Sequence, residues 1–396
     1  MKGKDFIITG LQSWDIPIGS NAIDIAKQIA KDNRVLYVNS PLDIMTIYRK
    51  KPTADTSHRF DVFNKKKDPL RKINDNLWVL DFPFYVWPVN GLPDGVLFDV
   101  FNKANNKKIF NYIKAEALKL GFKNPVHFID NDIYRSFYSK DILHPSLSVY
   151  YRRDNVQPYA YWRKHAGRLE PKLISKSDVV VCNSPQLAEY AAGFNKDSND
   201  VGQGVDLSAY DPSMKFTVPE VLQNIPKPII GYIGDINSMR LDADLIYELA
   251  KSKPNYSFVM IGGQDKVFAA HALHNLKNVY FPGSIPKNSV PQHMNALDVC
   301  LNPQLVNEIT IGNYPRKVDE YLAMGKPVIA TTTKTMELFR DHVFLCSSLE
   351  EYKQAVEKAL ADNSEESKAR RIAFAKSHSW ENNVSAIYNQ IEKHLK

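Results

Sequence analysis

One stretch of this sequence decides the fold: Asn313-Tyr-Pro-Arg-Lys-Val-Asp-Glu-Tyr-Leu-Ala-Met-Gly-Lys-Pro-Val-Ile-Ala-Thr-Thr332. It predicts a loop, a short helix, a glycine stop and a buried strand. The apolar stripe of the helix consists of Val318, Tyr321 and Leu322. Gly325 ends the helix and Pro327 prevents its continuation. A helix that ends at a glycine and runs into an apolar strand is a unit of an α/β sheet.

Two polar residues share the other face of this predicted helix. Lys317 and Glu320 are three positions apart, so they lie one turn from each other. An ammonium group can meet a phosphate and a carboxylate can accept ribose hydroxyls, which suits a nucleotide. A solvated ion pair explains the same spacing equally well.

Length and composition fit two globular domains. The chain has 396 residues, of which 24% are charged and 44% hydrophobic. Cys182, Cys300 and Cys346 are scattered, which indicates a reducing compartment and argues against disulfides or a zinc site. No signal peptide and no apolar run of the ~18 residues of a spanning helix is apparent. The sequence therefore predicts a cytoplasmic protein.

Strand and helix signals alternate along the chain, and the alternation starts twice. The predicted strands are 5–9, 34–38, 77–80, 126–129, 147–151, 179–182, 228–234, 257–263, 279–281, 299–301, 327–330 and 343–346. The sequence therefore predicts an α/β protein of two Rossmann-like domains, over residues 1–206 and 207–377. The proline-containing segment 207–227 is the predicted connector.

The segment 313–332 resembles the donor-binding signature of GT-B glycosyltransferases of the family 4-like, or group 1, type. Segments 18–20, 176–206, 231–240 and 278–286 are also similar to that family. The resemblance implies two Rossmann-like domains facing each other across a cleft, with the C-terminal helix (residues 378–396) crossing back to the N-terminal domain. It further implies that the N-terminal domain binds the acceptor and the C-terminal domain binds a nucleotide sugar.

The resemblance also implies a set of site residues. The donor site would consist of Arg240, Ser284, Ile285, Asn313, Tyr314, Lys317 and Glu320. In this donor site Glu320 would bind the ribose hydroxyls, Arg240 and Lys317 would contact the diphosphate, and the backbone of residues 284–285 would contact the base. Gly19 and Ser20 precede the first helix, whose N-terminus could receive a phosphate or the anion of the acceptor.

Two departures from the family concern the donor site. Asp235 replaces the first basic residue after the glycine, and Gly312 stands where the family carries a first glutamate, eight positions before Glu320. Backbone N–H groups near residues 311–314 would then contact the donor sugar. The signature is also similar to teichuronic-acid-type and xanthan glucuronosyltransferase-type transferases, the latter inverting, so the family leaves the stereochemistry open.

An inverting transfer needs a general base for the acceptor hydroxyl. Asp154 follows a predicted strand, at the end where an open α/β sheet presents its ligands. Asp130 and Asp132 follow a neighbouring strand and compete for the role. An ion pair of Asp154 with Arg152 or Arg153 is the structural alternative.

A basic segment lies between residues 44 and 72, where nine cations stand against three aspartates. The cations are Arg49, Lys50, Lys51, Arg59, Lys65, Lys66, Lys67, Arg71 and Lys72. The segment fits a solvated loop or contact with anionic lipid, worth roughly 1 kcal/mol per basic residue. A nucleic-acid surface is disfavoured.

Together these features predict a hexosyltransferase-type glycosyltransferase. It would move a sugar from a UDP- or GDP-linked donor to a lipid-linked glycan of a bacterial surface polysaccharide, at the inner face of the membrane. No metal and no cofactor is expected. A sugar-nucleotide 2-epimerase and an inactive sugar-nucleotide-binding protein are the alternatives. A nicotinamide oxidoreductase is disfavoured because neither half opens with GxGxxG.

Overall fold

The computed structural model describes residues 1–16, 20–49 and 56–395. The chain divides into two compact units. The N-terminal unit comprises Met1–Gly202 and the chain from Trp380 onward, and the C-terminal unit is Gln203–Ser379. The predicted boundaries at residues 206 and 378 lie close to these divisions.

The N-terminal unit is built on a sheet of eight described strands in the order β3-β4-β2-β1-β5-β6-β7-β8. They are β1 (Asp5–Gly10), β2 (Arg34–Val38), β3 (Leu70–Asn74), β4 (Leu77–Leu80), β5 (Val126–Asp130), β6 (Leu147–Arg152), β7 (Val179–Cys182) and β8 (Ser198–Asp200). Strand β3 runs antiparallel to β4, and the other neighbours are parallel. The strand order reverses at β1, which has β2 on one side and β5 on the other.

Helices cover this sheet in the crossover connections that parallel strands require. They are α1 (Asn21–Ile29), α2 (Ile44–Arg49), α3 (Ser57–Phe63), α4 (Val96–Lys119), α5 (Ser139–Leu143), α6 (Ala166–Lys176) and α7 (Pro185–Ala192). Helix α4, with 24 residues, is the longest described helix. The sequence analysis missed it, because its inward face buries three asparagines and its outward face carries apolar residues. That arrangement erases the usual periodicity.

The C-terminal unit is built on a sheet of six described strands, all parallel, in the order β11-β10-β9-β12-β13-β14. They are β9 (Ile229–Ile233), β10 (Ser257–Ile261), β11 (Val279–Gly283), β12 (Val299–Asn302), β13 (Val328–Thr331) and β14 (Phe344–Cys346). This is the strand order of a Rossmann domain, and it reverses at β9. Ligands of such sheets bind outside the carboxyl ends of the strands at the reversal.

The helices of this unit are α8 (Glu220–Gln223), α9 (Ala243–Ser252), α10 (Lys266–Ala269), α11 (Val290–Asn295), α12 (Arg316–Ala323), α13 (Leu349–Ala361) and α14 (Glu365–Ser377). Short 3-10 segments lie at Ala272–Asn275, Lys287–Ser289 and Met336–Phe339. The predicted connector 207–227 is part of this unit, because Leu207, Tyr210 and Phe216 pack against its core.

The last helix, α15 (Trp380–Glu392), belongs to the N-terminal unit. Trp380, Val384, Ile387 and Ile391 recur at helical spacing and are buried in the core that contains β1 and α1. Asn383 anchors the helix by donating from Nδ2 to the carbonyl oxygens of residues 201 and 202, at 3.0 and 2.8 Å. The C-terminal helix therefore crosses back, as predicted.

The three cysteines are buried and free. Among the residues that the structure describes, none of the helices combines the length and apolarity needed to cross a membrane.

Candidate donor and acceptor sites

Helix α12 has the C-terminal cap that its sequence predicts. It ends in a left-handed glycine, Gly325 at φ +69°. The Gly325 N–H donates to the Leu322 carbonyl at 2.9 Å and the Lys326 N–H to the Tyr321 carbonyl at 3.0 Å, which is a Schellman motif. The predicted stripe of Val318, Tyr321 and Leu322 is fully buried.

The buried stripe attaches α12 to the end of β9. The Tyr321 hydroxyl accepts a hydrogen bond of 2.9 Å from the N–H of Ile233, the last residue of that strand. Lys317 is one turn before Tyr321, so it lies beside the next residue, Gly234. A Cβ at Gly234 would be 2.5 Å from Lys317 Nζ. The glycine therefore makes room for the ammonium group at the reversal of the sheet.

Lys317 has a neutral partner. Its Nζ donates to the Tyr232 hydroxyl and lies 3.9 Å from the centroid of that ring. No ion pair joins Lys317 to Glu320 in the described part of the chain. The alternative of a solvated ion pair is therefore not what the structure contains.

Glu320 is half-buried on α12. Burial raises the pKa of its carboxyl above the ordinary value, although the positive charge of Arg316 and a hydrogen bond from the Tyr210 hydroxyl act in the opposite direction. Tyr210 lies in the segment that precedes β9. Sequence reasoning missed both tyrosine partners, since nothing in the spacing connects Tyr210 to a helix more than a hundred residues later.

The other predicted donor residues lie in loops at the same edge of the sheet. Arg240 follows β9, and its carbonyl accepts from the Leu305 N–H at 2.8 Å, which joins the loops after β9 and β12. Ser284 and Ile285 follow β11. A Cβ on Gly263, after β10, would be 3.2 Å from Ser284 Oγ, and Ile285 packs on the core that holds α12.

Asn313 and Tyr314 form the end of the loop before α12. The Asn313 N–H donates to the Thr310 carbonyl at 3.0 Å. Tyr314 is buried, with its hydroxyl 3.2 Å from Nδ1 of His378, which is 2.7 Å from the buried Asp319. Its side chain therefore belongs to the core. Only the backbone of this loop is then available to contact a donor sugar.

Asn302 is a buried amide at the end of β12 that sequence reasoning missed. It pairs in register with Ala330 of β13, and β12 also borders β9. Its Oδ1 and Nδ2 find no hydrogen-bond partner among the described residues. A buried polar group without a partner at the reversal of the sheet is available to a ligand.

The corresponding edge of the N-terminal unit carries a network of ions. Arg153 donates from Nε to Asp130 Oδ1 and from Nη1 to Asp154 Oδ2, both at 2.7 Å. Asp130 is fully buried and also accepts from the Leu11 N–H at 3.2 Å. Arg152 instead pairs with Glu170 at 2.9 Å. The structure thus contains the ion pair that was the alternative for Asp154.

Asp132 completes this group of carboxylates. It is buried, and its Oδ2 is 3.1 Å from Nε of Arg135. Burial raises the pKa of Asp132, and the charge of Arg135 opposes that shift. All three candidate bases therefore have a guanidinium partner.

The predicted phosphate loop is described only in part. Gly19 lies outside the described residues. Ser20 is the N-cap of α1, with φ −153° and ψ 140°. Its buried Oγ has no hydrogen-bond partner within the described ranges, so the start of α1 keeps one free hydroxyl.

Three cations of the basic segment of residues 44–72 pair with acids. Lys67 pairs with Asp61 at 2.8 Å, Lys72 with Asp75 at 2.8 Å, and Arg71 with Asp15 at 2.9 Å. The side chain of Arg49, and Lys50 and Lys51, lie outside the described residues. Lys65 and Lys66 are exposed and line an open cavity of about 630 Å³ with His58.

No group of three His, Cys, Asp or Glu side chains within residues 1–16, 20–49 and 56–395 could hold a metal ion.

The C-terminal unit matches a known family. Residues 227–362 match the family model described as glycosyl transferases group 1. This segment is similar to the domains of group 1 glycosyltransferases. It contains β9, the Gly234 loop and α12, the elements that build the candidate donor site.

The chain is also similar to a curated protein, TuaH of Bacillus subtilis, assigned to teichuronic acid biosynthesis as a glycosyltransferase. The two are 27% identical over 244 residues, which is 59% of this chain and 60% of TuaH. The match therefore spans less than two thirds of that protein.

Solved glycosyltransferase structures share the fold over nearly the whole chain. Sucrose-phosphate synthase from Thermosynechococcus elongatus has a TM-score of 0.64 and 14% identity, with 98% of each chain covered. Anabaena Alr3699/HepE, in complex with UDP and glucose, has a TM-score of 0.65 and 16% identity, with 98% of this chain and 100% of that chain covered. The chain has the GT-B fold.

Proposed function

We propose that this chain is a glycosyltransferase that moves a hexose from a nucleotide-diphosphate sugar to an acceptor hydroxyl. The observation that carries the proposal is the geometry of α12. This one helix holds Lys317 beside Gly234 at the reversal of the sheet and presents Glu320 one turn later. The group 1 domain and the similarity to TuaH support the same reaction class.

In the proposed donor complex, the two charges of α12 meet different parts of the nucleotide. Lys317 and Arg240 contact the diphosphate, and Glu320 accepts the ribose hydroxyls after Tyr210 releases it. The base lies against the backbone of residues 284–285, and backbone N–H groups of residues 311–314 contact the sugar. UDP- and GDP-linked donors both fit this scheme, and the solved HepE complex with UDP and glucose makes UDP-linked donors the first to test.

The bond changes of the proposed transfer are simple. The acceptor oxygen forms a bond to the anomeric carbon, and the bond from that carbon to the diphosphate oxygen breaks. The two cations offset the charge that develops on the leaving diphosphate, so a metal ion or a cofactor is not assigned a role. The proton of the acceptor goes to a base if the enzyme inverts.

For that base we propose Asp154, with Arg153 as the residue that positions it. Asp154 is half-buried, and Arg153 holds its Oδ2 at 2.7 Å. Asp130 and Asp132 remain the competitors. A retaining transfer would use none of the three.

The proposed acceptor is a lipid-linked glycan of a bacterial surface polysaccharide, bound by the N-terminal unit at the cytoplasmic face of the membrane. Support comes from the assignment of TuaH to teichuronic acid biosynthesis. The exposed cations Lys65 and Lys66 would also suit an anionic surface.

A donor-hydrolysis assay over a panel of UDP- and GDP-sugars tests the reaction class. We expect slow release of free sugar and nucleoside diphosphate from one donor, with less release by the Glu320→Ala variant. Conversion of the donor into its C2 epimer would assign an epimerase. Saturable binding without turnover would assign an inactive binding protein.

A further inference from the structure

The outward face of the first two turns of α4 is apolar. The exposed residues there are Val96 (80%), Leu97 (46%), Val100 (59%) and Phe101 (37%). The inward face of this part of α4 buries Phe98 together with Asn102, Asn105 and Asn106. A surface helix normally carries its apolar residues inward and its polar residues outward. The exposure of four apolar side chains on the outward face indicates that something other than water covers it.

Trp87 extends the apolar face. Its N–H donates to Oδ1 of Asn105 at 3.1 Å, and its carbonyl accepts from Nδ2 of Asn105 at 2.8 Å. These two bonds hold the tryptophan backbone against the inward side of α4, while the side chain is 49% exposed. An exposed aromatic residue is thus fixed beside α4, at the turn that follows Phe101.

Lysines continue the outward face towards the end of α4. They are Lys103, Lys107, Lys108 and Lys114, all exposed and none with an ion-pair partner in the described part of the chain. Of the four, Lys108 donates from Nζ to the Tyr85 carbonyl at 3.0 Å. The two acids of the helix are both paired, Asp99 with Arg168 of α6 at 2.9 Å and Glu116 with Lys119 of α4 itself at 2.7 Å. The outward face is therefore apolar and cationic, without an unpaired acid.

The apolar end of α4 lies at the acceptor edge of the N-terminal unit. The second half of α4 packs on the sheet through Ile109, Phe110 and Ile113, and a crossover helix runs antiparallel to its strands. Its first half therefore extends past the carboxyl ends of the strands. There Phe98 packs edge-on against Tyr134, with 5.4 Å between ring centroids. Tyr134 follows Asp130 by four residues.

We propose that this α4 surface, comprising Trp87, the four apolar residues and the four lysines, docks the N-terminal unit on an anionic lipid bilayer. The apolar side chains would enter the boundary between headgroups and acyl chains, with the lysines facing anionic headgroups. Tryptophan favours the same depth.

The charges favour a bilayer over a second copy of the chain. Two copies of the chain, each with a net charge of +7, repel each other, whereas an anionic bilayer supplies the opposite charge. The docking role depends on one part of the proposed function, which is that the acceptor is linked to a lipid. Docking can be measured without any donor or acceptor.

The first test measures the binding of the full chain to vesicles of phosphatidylcholine with and without phosphatidylglycerol. We expect the triple variant Val96→Ser/Val100→Ser/Phe101→Ser to bind the anionic vesicles about 10-fold more weakly or worse. Val267→Ser is the control, because Val267 is also an exposed apolar residue (68%) and lies in the C-terminal unit. It should bind as the wild type does. Unchanged thermal unfolding and nucleotide affinity would show that all variants are folded.

The second test separates the α4 lysines from the basic segment. Lys103→Gln/Lys107→Gln/Lys114→Gln should weaken binding to anionic vesicles more than Lys65→Gln/Lys66→Gln/Lys67→Gln does, with a smaller dependence on salt. Brominated acyl chains should quench part of the tryptophan emission in the wild type, and Trp87→Phe should lose that part.

Three results would overturn the docking surface. The first is that the triple serine variant binds vesicles as tightly as the wild type. The second is that only the Lys65→Gln/Lys66→Gln/Lys67→Gln variant loses vesicle affinity. The third is that the wild type forms a dimer, which the serine variant abolishes without any change in vesicle affinity. Loss of vesicle binding with donor turnover intact supports the surface. If no donor is turned over while the vesicle results hold, the proposed function fails and the surface stands.

Discussion

The two sheets of this chain present charge differently at their reversal points. At the edge of the N-terminal unit, Arg153 holds both Asp130 and Asp154, and Arg135 holds Asp132. In the C-terminal unit, the hydrogen-bond partners of Lys317 and Glu320 are the phenols of Tyr232 and Tyr210, and the charge of Arg316 also acts on Glu320. At the N-terminal edge the acids are neutralised by ion pairs with arginines. At the C-terminal edge Lys317 and Glu320 are hydrogen-bonded to neutral hydroxyls.

This difference indicates which ligand each edge can accept. An ion that exchanges a phenol for a charged ligand gains electrostatic interaction, whereas an ion in a buried pair must first lose its partner. The C-terminal edge therefore suits a diphosphate and a ribose. The N-terminal edge suits a neutral sugar hydroxyl, which needs hydrogen bonds and a base but no countercharge.

The largest expected effect concerns the base. Asp154→Asn keeps the shape of the side chain and removes its basicity, so transfer should fall about 10²-fold or more. Donor affinity, measured by calorimetry, should not change, because Asp154 lies in the other unit. Asp130→Asn and Asp132→Asn serve as the comparison variants.

Normal turnover of Asp154→Asn together with an inactive Asp130→Asn or Asp132→Asn would move the base to the neighbouring strand. Activity in all three variants would indicate a retaining transfer without a protein base. Lost donor binding in Asp154→Asn would show that its ion pair with Arg153 is structural.

The next effect concerns the phosphate contacts. Lys317→Ala and Arg240→Ala should each weaken UDP binding by roughly 1.5–3 kcal/mol, the range for hydrogen bonds to charged groups. Uridine, which has no phosphate, should bind the variants as it binds the wild type. Equal losses for both ligands would indicate general destabilisation and contradict the phosphate role.

The smallest effect is a dependence on pH. Burial raises the pKa of Glu320 above its ordinary value of 4.5. Ribose hydroxyls donate to the ionised carboxylate, so uridine affinity should be constant at pH values above that raised pKa. Affinity should decline as the pH falls through it, because the carboxyl must first lose its proton.

Glu320→Gln is the control for this titration, since an amide does not ionise. Its weaker affinity should be flat over the same interval. If the uridine affinity of the wild type is also independent of pH, Glu320 does not contact the ribose.

The sequence predicts α12 and its surroundings well because the signals are local. The stripe of Val318, Tyr321 and Leu322 and the stop at Gly325 lie within eight residues, and each acts through the helix itself. The return of α15 to the first unit was also predictable, through a family resemblance and an apolar stripe.

The partners of the site residues could not be predicted, because they come from distant segments. Tyr210 approaches Glu320 from the segment before β9, and Arg153 reaches Asp130 across neighbouring strands. Helix α4 was not predicted, because its buried asparagines and exposed valines obscure the helical periodicity of apolar residues. Such contacts depend on the assembled fold and leave no regular spacing in the sequence.

The most direct test of the donor site is calorimetric titration of UDP and uridine into the wild type and Glu320→Ala. The removed carboxylate meets the ribose, which both ligands carry. We therefore expect both affinities to fall by the same amount, roughly 1.5–3 kcal/mol, with thermal unfolding close to that of the wild type. Unchanged affinity for both ligands in a folded Glu320→Ala protein would contradict the assignment of α12 as the donor-binding helix.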